Sequence, residues 1–314
     1  MRRDEDNTEG EGEEGESSQP PVVAANASGL RCNGRTELCE RPYGNVTFLG
    51  AHDSFAASGN PFALARTQEI DVAAQLKLGV RMLQAQGRMN NNKLHFCHTS
   101  CGLFDGGSVE DYLKKVKTFL DQNSNEVLTL IFTNPENISV AEVWKPAFDN
   151  SGISDLAYVP NEPIPKRDDW PTLGDMIETK KRVVVFLDKG AAAPEGGALV
   201  DFILPQFQMI WEDKYSSTDD KFPCKVDRTE KPLAPVDQLN MINHNLNLNI
   251  FPIGPVLIPH RLVAPKTNSV NTIFSHAYGC SNFTEERAPN FVMLDFVNVG
   301  QGMEAVNRLN GFTS

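Results

Sequence analysis

The chain has 314 residues, 40% of them hydrophobic and 22% charged, with a formal net charge of −12. That is enough apolar material for one large core, and α/β barrels commonly use about 250 residues as a single domain. The charge is offset by no basic cluster, which excludes nucleic acid as a partner and strong electrostatic docking on an anionic membrane. No apolar run reaches the roughly 18 residues of a membrane span.

Residues 1–20 hold eight acids against Arg2 and Arg3, a net −6. Such a segment cannot bury enough apolar surface to order itself, so residues 1–25 are expected to form a disordered acidic tail ahead of one domain at 26–314. Beyond the tail, strand-like and helix-like segments alternate. Residues 46–49 read as a first strand, 70–78 as an amphipathic helix stopped by Gly79, 80–86 as a second strand and 94–97 as a third. The clearest helix is 108–120, where Ser108 caps the start with Asp111 three residues on and Val109, Tyr112, Leu113, Val116, Phe119 and Leu120 form one stripe. The continuous apolar run at 127–132 suits a strand covered on both faces.

Helices are predicted at 140–148 and 173–179, a further buried strand at 182–187, weaker strands at 207–211 and 239–243, a strong last strand at 291–296 and a helix at 303–309. The stretches 159–171 and 213–237 are loops long enough to build a site. About eight strands alternating with helices predict an α/β fold, a (β/α)8 TIM-type barrel. Barrel chemistry sits at the carboxyl ends of strands, and polar residues gather there: His52 and Asp53 after the first, Gln84, Gln86 and Arg88 along the second, His98 after the third, Thr133 and Asn134 after the fourth, Asp188 after the fifth and Asp295 within the last.

Two of these places share a design. Phe48-Leu49-Gly50-Ala51-His52-Asp53-Ser54 runs an apolar strand into a His-Asp pair, and 46 residues after His52 the run Leu94-His95-Phe96-Cys97-His98 does the same. Imidazole titrates near neutral pH, so one histidine can take a proton from a nucleophilic hydroxyl while the other protonates a departing alkoxide. Alternation along a strand puts Phe48, Gly50 and His52 on one face, and Leu94, Phe96 and His98 on one face, with His95 pointing away. A zinc reading of His95, Cys97, His98 and Cys101 fails because adjacent strand residues face opposite sides.

Six cysteines and four sequons (Asn26-Ala-Ser, Asn45-Val-Thr, Asn137-Ile-Ser, Asn282-Phe-Thr) point to a secreted glycoprotein, although the N-terminus shows no apolar signal-peptide core and the export route stays open. Spacing suggests Cys32–Cys39 and Cys97–Cys101 as local bridges, leaving Cys224 for Cys280, among 15 conceivable connectivities.

At these residues the chain resembles the phosphatidylinositol-specific phospholipase C X-domain family, and within it the secreted fungal phospholipase C-like phosphodiesterases, over most of its length from Cys32 onward. The landmarks are Gly50-Ala51-His52-Asp53-Ser54, Gly79-Val80-Arg81-Met82-Leu83-Gln84, Cys97-His98-Thr99-Ser100-Cys101, Phe222-Pro223-Cys224-Lys225-Val226-Asp227-Arg228 and Met241-Ile242-Asn243-His244. The resemblance implies a distorted or incompletely closed barrel. In it His52 is the base on the inositol 2-hydroxyl, and His98 protonates the diacylglycerol or other leaving alcohol, giving a cyclic phosphodiester. Asp53 would orient the nucleophile or the charge-stabilising group, and Asp295, by strand position, would hold the His52 imidazole.

The chain departs from the pattern on the second strand, where carboxylates or a catalytic arginine give way to Gln84 and Gln86. Neutral amides bind calcium poorly, so no metal and no cofactor are expected. Arg88, on the same strand face, is the candidate for the missing positive charge. Asn134, Asp188, Lys189 and His244 join Gln84, Gln86 and Arg88 as candidate substrate contacts, whereas His260 and His276 read as structural residues in loops. The expected partner is a phospholipid or phosphoinositol headgroup, met by a monomer in transient contact with a membrane surface. A second reading is a binding or scaffold protein that kept the barrel and lost efficient chemistry. A third, a metal-dependent glycerophosphodiesterase or sphingomyelinase D on the same barrel, lacks its second-strand carboxylate pair.

Overall fold

The computed structural model describes residues 29–250 and 256–313, so the predicted acidic tail lies outside the described residues. The strands in chain order are β1 (Phe48–Ala51), β2 (Met82–Asn90), β3 (Lys93–Cys97), β4 (Asp105–Ser108), β5 (Leu128–Thr133), β6 (Val183–Leu187), β7 (Ile203–Pro205), β8 (Ile210–Glu212), β9 (Leu239–Asn243), β10 (Asn247–Asn249), β11 (Leu257–Pro259) and β12 (Phe291–Leu294). Eight of them make one curled parallel sheet in the order β7-β6-β5-β2-β1-β12-β9-β8. The curl stays open between β7 and β8, which are joined by the helical turn Gln206–Met209 and form the two ends of the pairing order. This is the incompletely closed α/β barrel expected from the sequence.

Strand parity builds two apolar layers. Along β6, Val183, Val185 and Leu187 pack outward under the helices, while Val184 and Phe186 join Phe48, Met82, Ile131, Met241 and Met293 inside the curl. The interior is tight at β1: a Cβ on Gly50 would stand 2.3 Å from Met82 Cε, so any larger residue there would have to displace the end of that methionine. At the amino end, Tyr43 and Trp170 close the inner layer, and the Tyr43 hydroxyl shares a 2.6 Å hydrogen bond with Thr129.

Three expectations are corrected. Residues 94–97 do not form a barrel strand. β2 continues past the rim to Asn90, reverses through Asn91 and Asn92, both left-handed (φ 49° and 62°), and returns as antiparallel β3, which pairs with β4. Paired left-handed residues are what a two-residue hairpin turn requires, and asparagine tolerates them. The eighth barrel strand is β7, only three residues long. Within 207–211 a helical turn precedes the strand, which begins at Ile210. Residues 140–148 start as a π-helical turn, Val140–Trp144, before the α-helix Lys145–Ser151, because Pro146 supplies no N–H to the ladder. The Ser108-capped helix forms as predicted and runs over Val109–Gln122. All three disulfides, Cys32–Cys39, Cys97–Cys101 and Cys224–Cys280, follow the spacing argument.

Candidate active site

His52 is the first residue past β1, and the parallel register sets Ala51 beside Leu294, so Asp295 emerges next to His52. The His52 N–H donates to the Leu294 carbonyl, and its Nδ1 lies 2.8 Å from Asp295 Oδ1. A carboxylate acceptor fixes the proton on Nδ1 and leaves Nε2 facing the barrel mouth. Asp53 follows in a left-handed conformation (φ 37°). Its N–H donates to Gln84 Oε1 at 2.7 Å, and its carboxylate accepts from Gln86 Nε2 at 2.9 Å. The second-strand amides therefore hold Asp53, a role the sequence did not reveal. Gln68 and Thr67 complete the turn: Gln68 Nε2 donates to the His52 and Leu294 carbonyls, and the Thr67 hydroxyl to the Asp53 carbonyl.

His98 arrives on the hairpin, one residue past β3. Its Nδ1 lies 2.6 Å from the Ala65 carbonyl, an acceptor that requires Nδ1–H and directs Nε2 inward. The Nε2 atoms of His52 and His98 each stand 3.5 Å from the same oxygen, Asp53 Oδ2. The ring centroids are 6.3 Å apart and nearly perpendicular. The side chains are 21% and 16% exposed, whereas Asp53 is fully buried. Two reachable imidazoles, each anchored through Nδ1, thus converge on one buried carboxylate.

Burial works against the charged form of His52, yet the Asp295 and Asp53 carboxylates, with the Asp295 hydrogen bond, push its pKa up to about 9. Burial raises the Asp53 carboxyl, while His52 and His98 pull it back. The turn opens on a cavity of about 190 Å³ lined by His52, Gln84, Gln86 and Thr133 on one side and by Gln206, Glu212, Tyr215 and Arg228 on the other. The second wall stands where the barrel fails to close. Arg228 was not anticipated as a site residue. Its backbone bridges Glu212 antiparallel, its guanidinium pairs with the buried Glu212 carboxylate, and it lies 4.4 Å over the Tyr215 ring. Burial raises the Glu212 carboxyl, and Arg228 opposes that rise. The only sequence signal was its place at the end of the Phe222-to-Arg228 landmark.

The PI-PLC X family model matches residues 38–310. The chain belongs to the PI-PLC X family. Two relatives from Arthroderma benhamiae are similar to it: an "uncharacterized secreted protein" at 40% identity, aligned over 86% of this chain and 60% of the relative, and "PI-PLC X domain-containing protein 1" at 38%, over 91% of each. The chain therefore spans under two thirds of the first relative's length and most of the second's. An Arabidopsis thaliana PI-PLC X domain-containing protein is 27% identical over 86% of this chain and 63% of its own. Among solved structures, phosphatidylinositol-specific phospholipases C from Staphylococcus aureus (TM-score 0.58, covering 87% of this chain and 94% of that one) and Listeria monocytogenes (TM-score 0.56, 88% and 96%) share the fold at 16% identity.

Not every predicted contact of this PI-PLC X domain reaches the cavity. Arg88 lies beyond the barrel rim and pairs with Glu136 at 3.3 Å, because β2 leaves the barrel as a hairpin arm. Asn134 is buried and consumed: its amide donates to the Ile138 and Lys189 carbonyls and its Oδ1 accepts from the Ile138 N–H. Asp188 Oδ1 accepts from the Asn134 N–H, and burial raises its carboxyl. Lys189 is an exposed rim residue.

His244 has no accessible surface: Nε2 donates to the Thr267 carbonyl, and Nδ1 lies 2.9 Å from Nδ1 of His276, which sits 2.6 Å from Asp213. His244 is therefore structural, and His276 lies in the helix Val270–Gly279 rather than in a loop. No group of three or more His, Cys, Asp or Glu among the described residues is arranged for a metal. The donor set at the histidines does not fit calcium: the Asp295 carboxylate is engaged by His52 Nδ1, the Asp53 carboxylate by Gln86 and the two imidazoles, and the remaining donors are the neutral amides of Gln84 and Gln86.

Proposed function

We propose that this PI-PLC X domain is a phosphodiesterase that cleaves an inositol phospholipid, a glycosyl-phosphatidylinositol anchor or a related phosphodiester by internal attack. The observation that carries the reading is the convergence of His52 Nε2 and His98 Nε2 on Asp53 Oδ2, 3.5 Å from each. In the reacting form His52 has lost its proton and His98 holds one on Nε2. His52 takes the proton of the hydroxyl beside the phosphoester, the freed oxygen bonds to phosphorus, the bond to the leaving alcohol breaks, and His98 delivers its proton to that alcohol. A cyclic phosphodiester results. With His52 held up at about 9, its neutral form is a minority at neutral pH, which suits slow turnover.

The opposite wall, with Gln206, Glu212, Arg228 and Asn243, offers donors and acceptors suited to a polyhydroxylated ring. Exposed Phe62, Leu64 and Leu103 on loops, and Leu262 in the 3-10 turn Arg261–Val263, support transient contact with a lipid surface. Three disulfides, a relative named as secreted and the exposed sequon residues Asn45, Asn137 and Asn282 support an extracellular setting. Phosphorus NMR of a phosphatidylinositol digest tests the chemistry: a cyclic phosphate product is expected, abolished by His52→Ala and by His98→Ala and unaffected by chelators. Turnover that survives both substitutions overturns the reading.

A further inference from the structure

The two histidines are held by different means. His52 inherits its place from a central strand of the parallel sheet. His98 stands instead on the loop 98–104, where Thr99, Ser100, Gly102 and Leu103 are all exposed. A loop of that kind, with few buried neighbours, sits at the low end of local stability. Its backbone hydrogen bonds are few: His98 N–H to the Phe104 carbonyl at 3.0 Å, Ser100 N–H to the His98 carbonyl at 2.7 Å, and the Leu103 and Phe104 N–H groups to the Ser100 carbonyl.

The Cys97–Cys101 disulfide closes this loop into a ring with His98, Thr99 and Ser100 inside it. One end of the ring is fixed in the core, because Cys97 is the last residue of β3 and has no accessible surface. The chain reverses at once through Thr99, which takes a left-handed conformation (φ 62°) unusual for a β-branched residue. That reversal turns the His98 ring toward the Ala65 carbonyl and Asp53. Phe104, edge-on to Phe55 at 6.2 Å, anchors the far end of the loop to the core, and the covalent closure makes the reversed conformation persist across the exposed residues between.

We propose that the Cys97–Cys101 bridge is a positioning element of the general acid, holding the His98 imidazole between the Ala65 carbonyl and Asp53 so that Nε2–H faces the departing oxygen. The inference rests on the reading of His98 as the proton donor to the leaving group.

The test uses two inositol phosphodiesters that differ only in leaving group, one a simple alcohol and one a nitrophenol. An alkoxide must be protonated as it leaves, whereas a nitrophenolate departs without help. His98→Ala is expected to lose about 10²–10⁴-fold on the alkyl ester and under about tenfold on the aryl ester. Cys97→Ser/Cys101→Ser should copy that signature in milder form, with a loss of about 10–100-fold on the alkyl ester and under about threefold on the aryl ester. Cys32→Ser/Cys39→Ser, which removes the bridge ahead of β1, should slow both esters equally.

Both rates are read on one sample, so their ratio is independent of the folded fraction. An unchanged ratio in the Cys97/Cys101 variant, or loss of both activities together, overturns the proposal with the acid assignment intact. An unchanged ratio in His98→Ala removes the acid assignment itself, and the proposal with it.

Discussion

At the scale of single residues, Asp295 determines what His52 can do. Its carboxylate lies 2.8 Å from His52 Nδ1 and is the foremost of the groups that raise the imidazole to about 9 against the cost of burial. Asp295→Asn removes that charge and presents an amide whose N–H₂ competes for Nδ1, favouring the tautomer with the proton on Nε2. The His52 titration followed by imidazole NMR should centre near pH 9 in the wild type and move down in the variant. The rate on a soluble inositol phosphodiester should fall about 10²–10⁴-fold. An unmoved titration would show that Asp295 does not govern the base. The histidines and both aspartates were legible in the sequence because each follows a strongly apolar run. Arg228 was not legible, since it lies 16 residues from its partner Glu212 inside a loop and only the fold brings the two together.

At the scale of elements, the β2–β3–β4 hairpin is the feature that periodicity misread. Alternation reports which face a side chain occupies and says nothing about strand direction, so 94–97 looked like one more barrel strand. The missed cue was the Asn91-Asn92 turn. Where β2 leaves the barrel it passes the π-helical turn Val140–Trp144, and Gly87 makes room for it: a Cβ there would stand 2.4 Å from two ring atoms of the fully buried Trp144. A buried indole cannot step aside without displacing Phe132, which stacks on it at 5.9 Å. Gly87→Ala should therefore destabilise by about 1–3 kcal/mol, read as a lower denaturation midpoint. Gly59→Ala, where a Cβ would meet nothing within 4 Å, should leave the midpoint nearly unchanged. Equal midpoints for the two variants would mean that the hairpin does not depend on this contact.

At the scale of the whole molecule, the barrel that fails to close between β7 and β8 gains its polar wall from the segment after β8, and that segment is braced from behind by buried groups. Asp213 accepts from the Asn243 N–H at 2.7 Å and meets His276, which meets His244, and Phe222 stacks on His276 and lies tilted against His244. Burial, followed by the neighbouring His276, lowers the His244 pKa to about 3. This sets a pH dependence of stability opposite in sign to that of His52. Between about 6.5 and 3 the unfolded chain takes up a proton at His244 that the native state refuses, so the contribution of this residue is complete above pH 6.5 and is lost as pH falls. For His52 the native state keeps its proton longer, so its contribution is complete below about 6.5 and is lost as pH rises through 9. Buried Asp53 and Glu212 and half-buried Asp188, all raised, favour the native state in acid and blunt the His244 slope. Comparison with single variants isolates each histidine. The stability advantage of wild type over His244→Gln should shrink as pH drops from 6.5 to 4, and its advantage over His52→Gln should shrink as pH climbs from 6.5 to 9. Urea midpoints measured across that range decide the matter. A pH-independent gap for either variant would mean that its histidine does not titrate differently in the folded and unfolded chains.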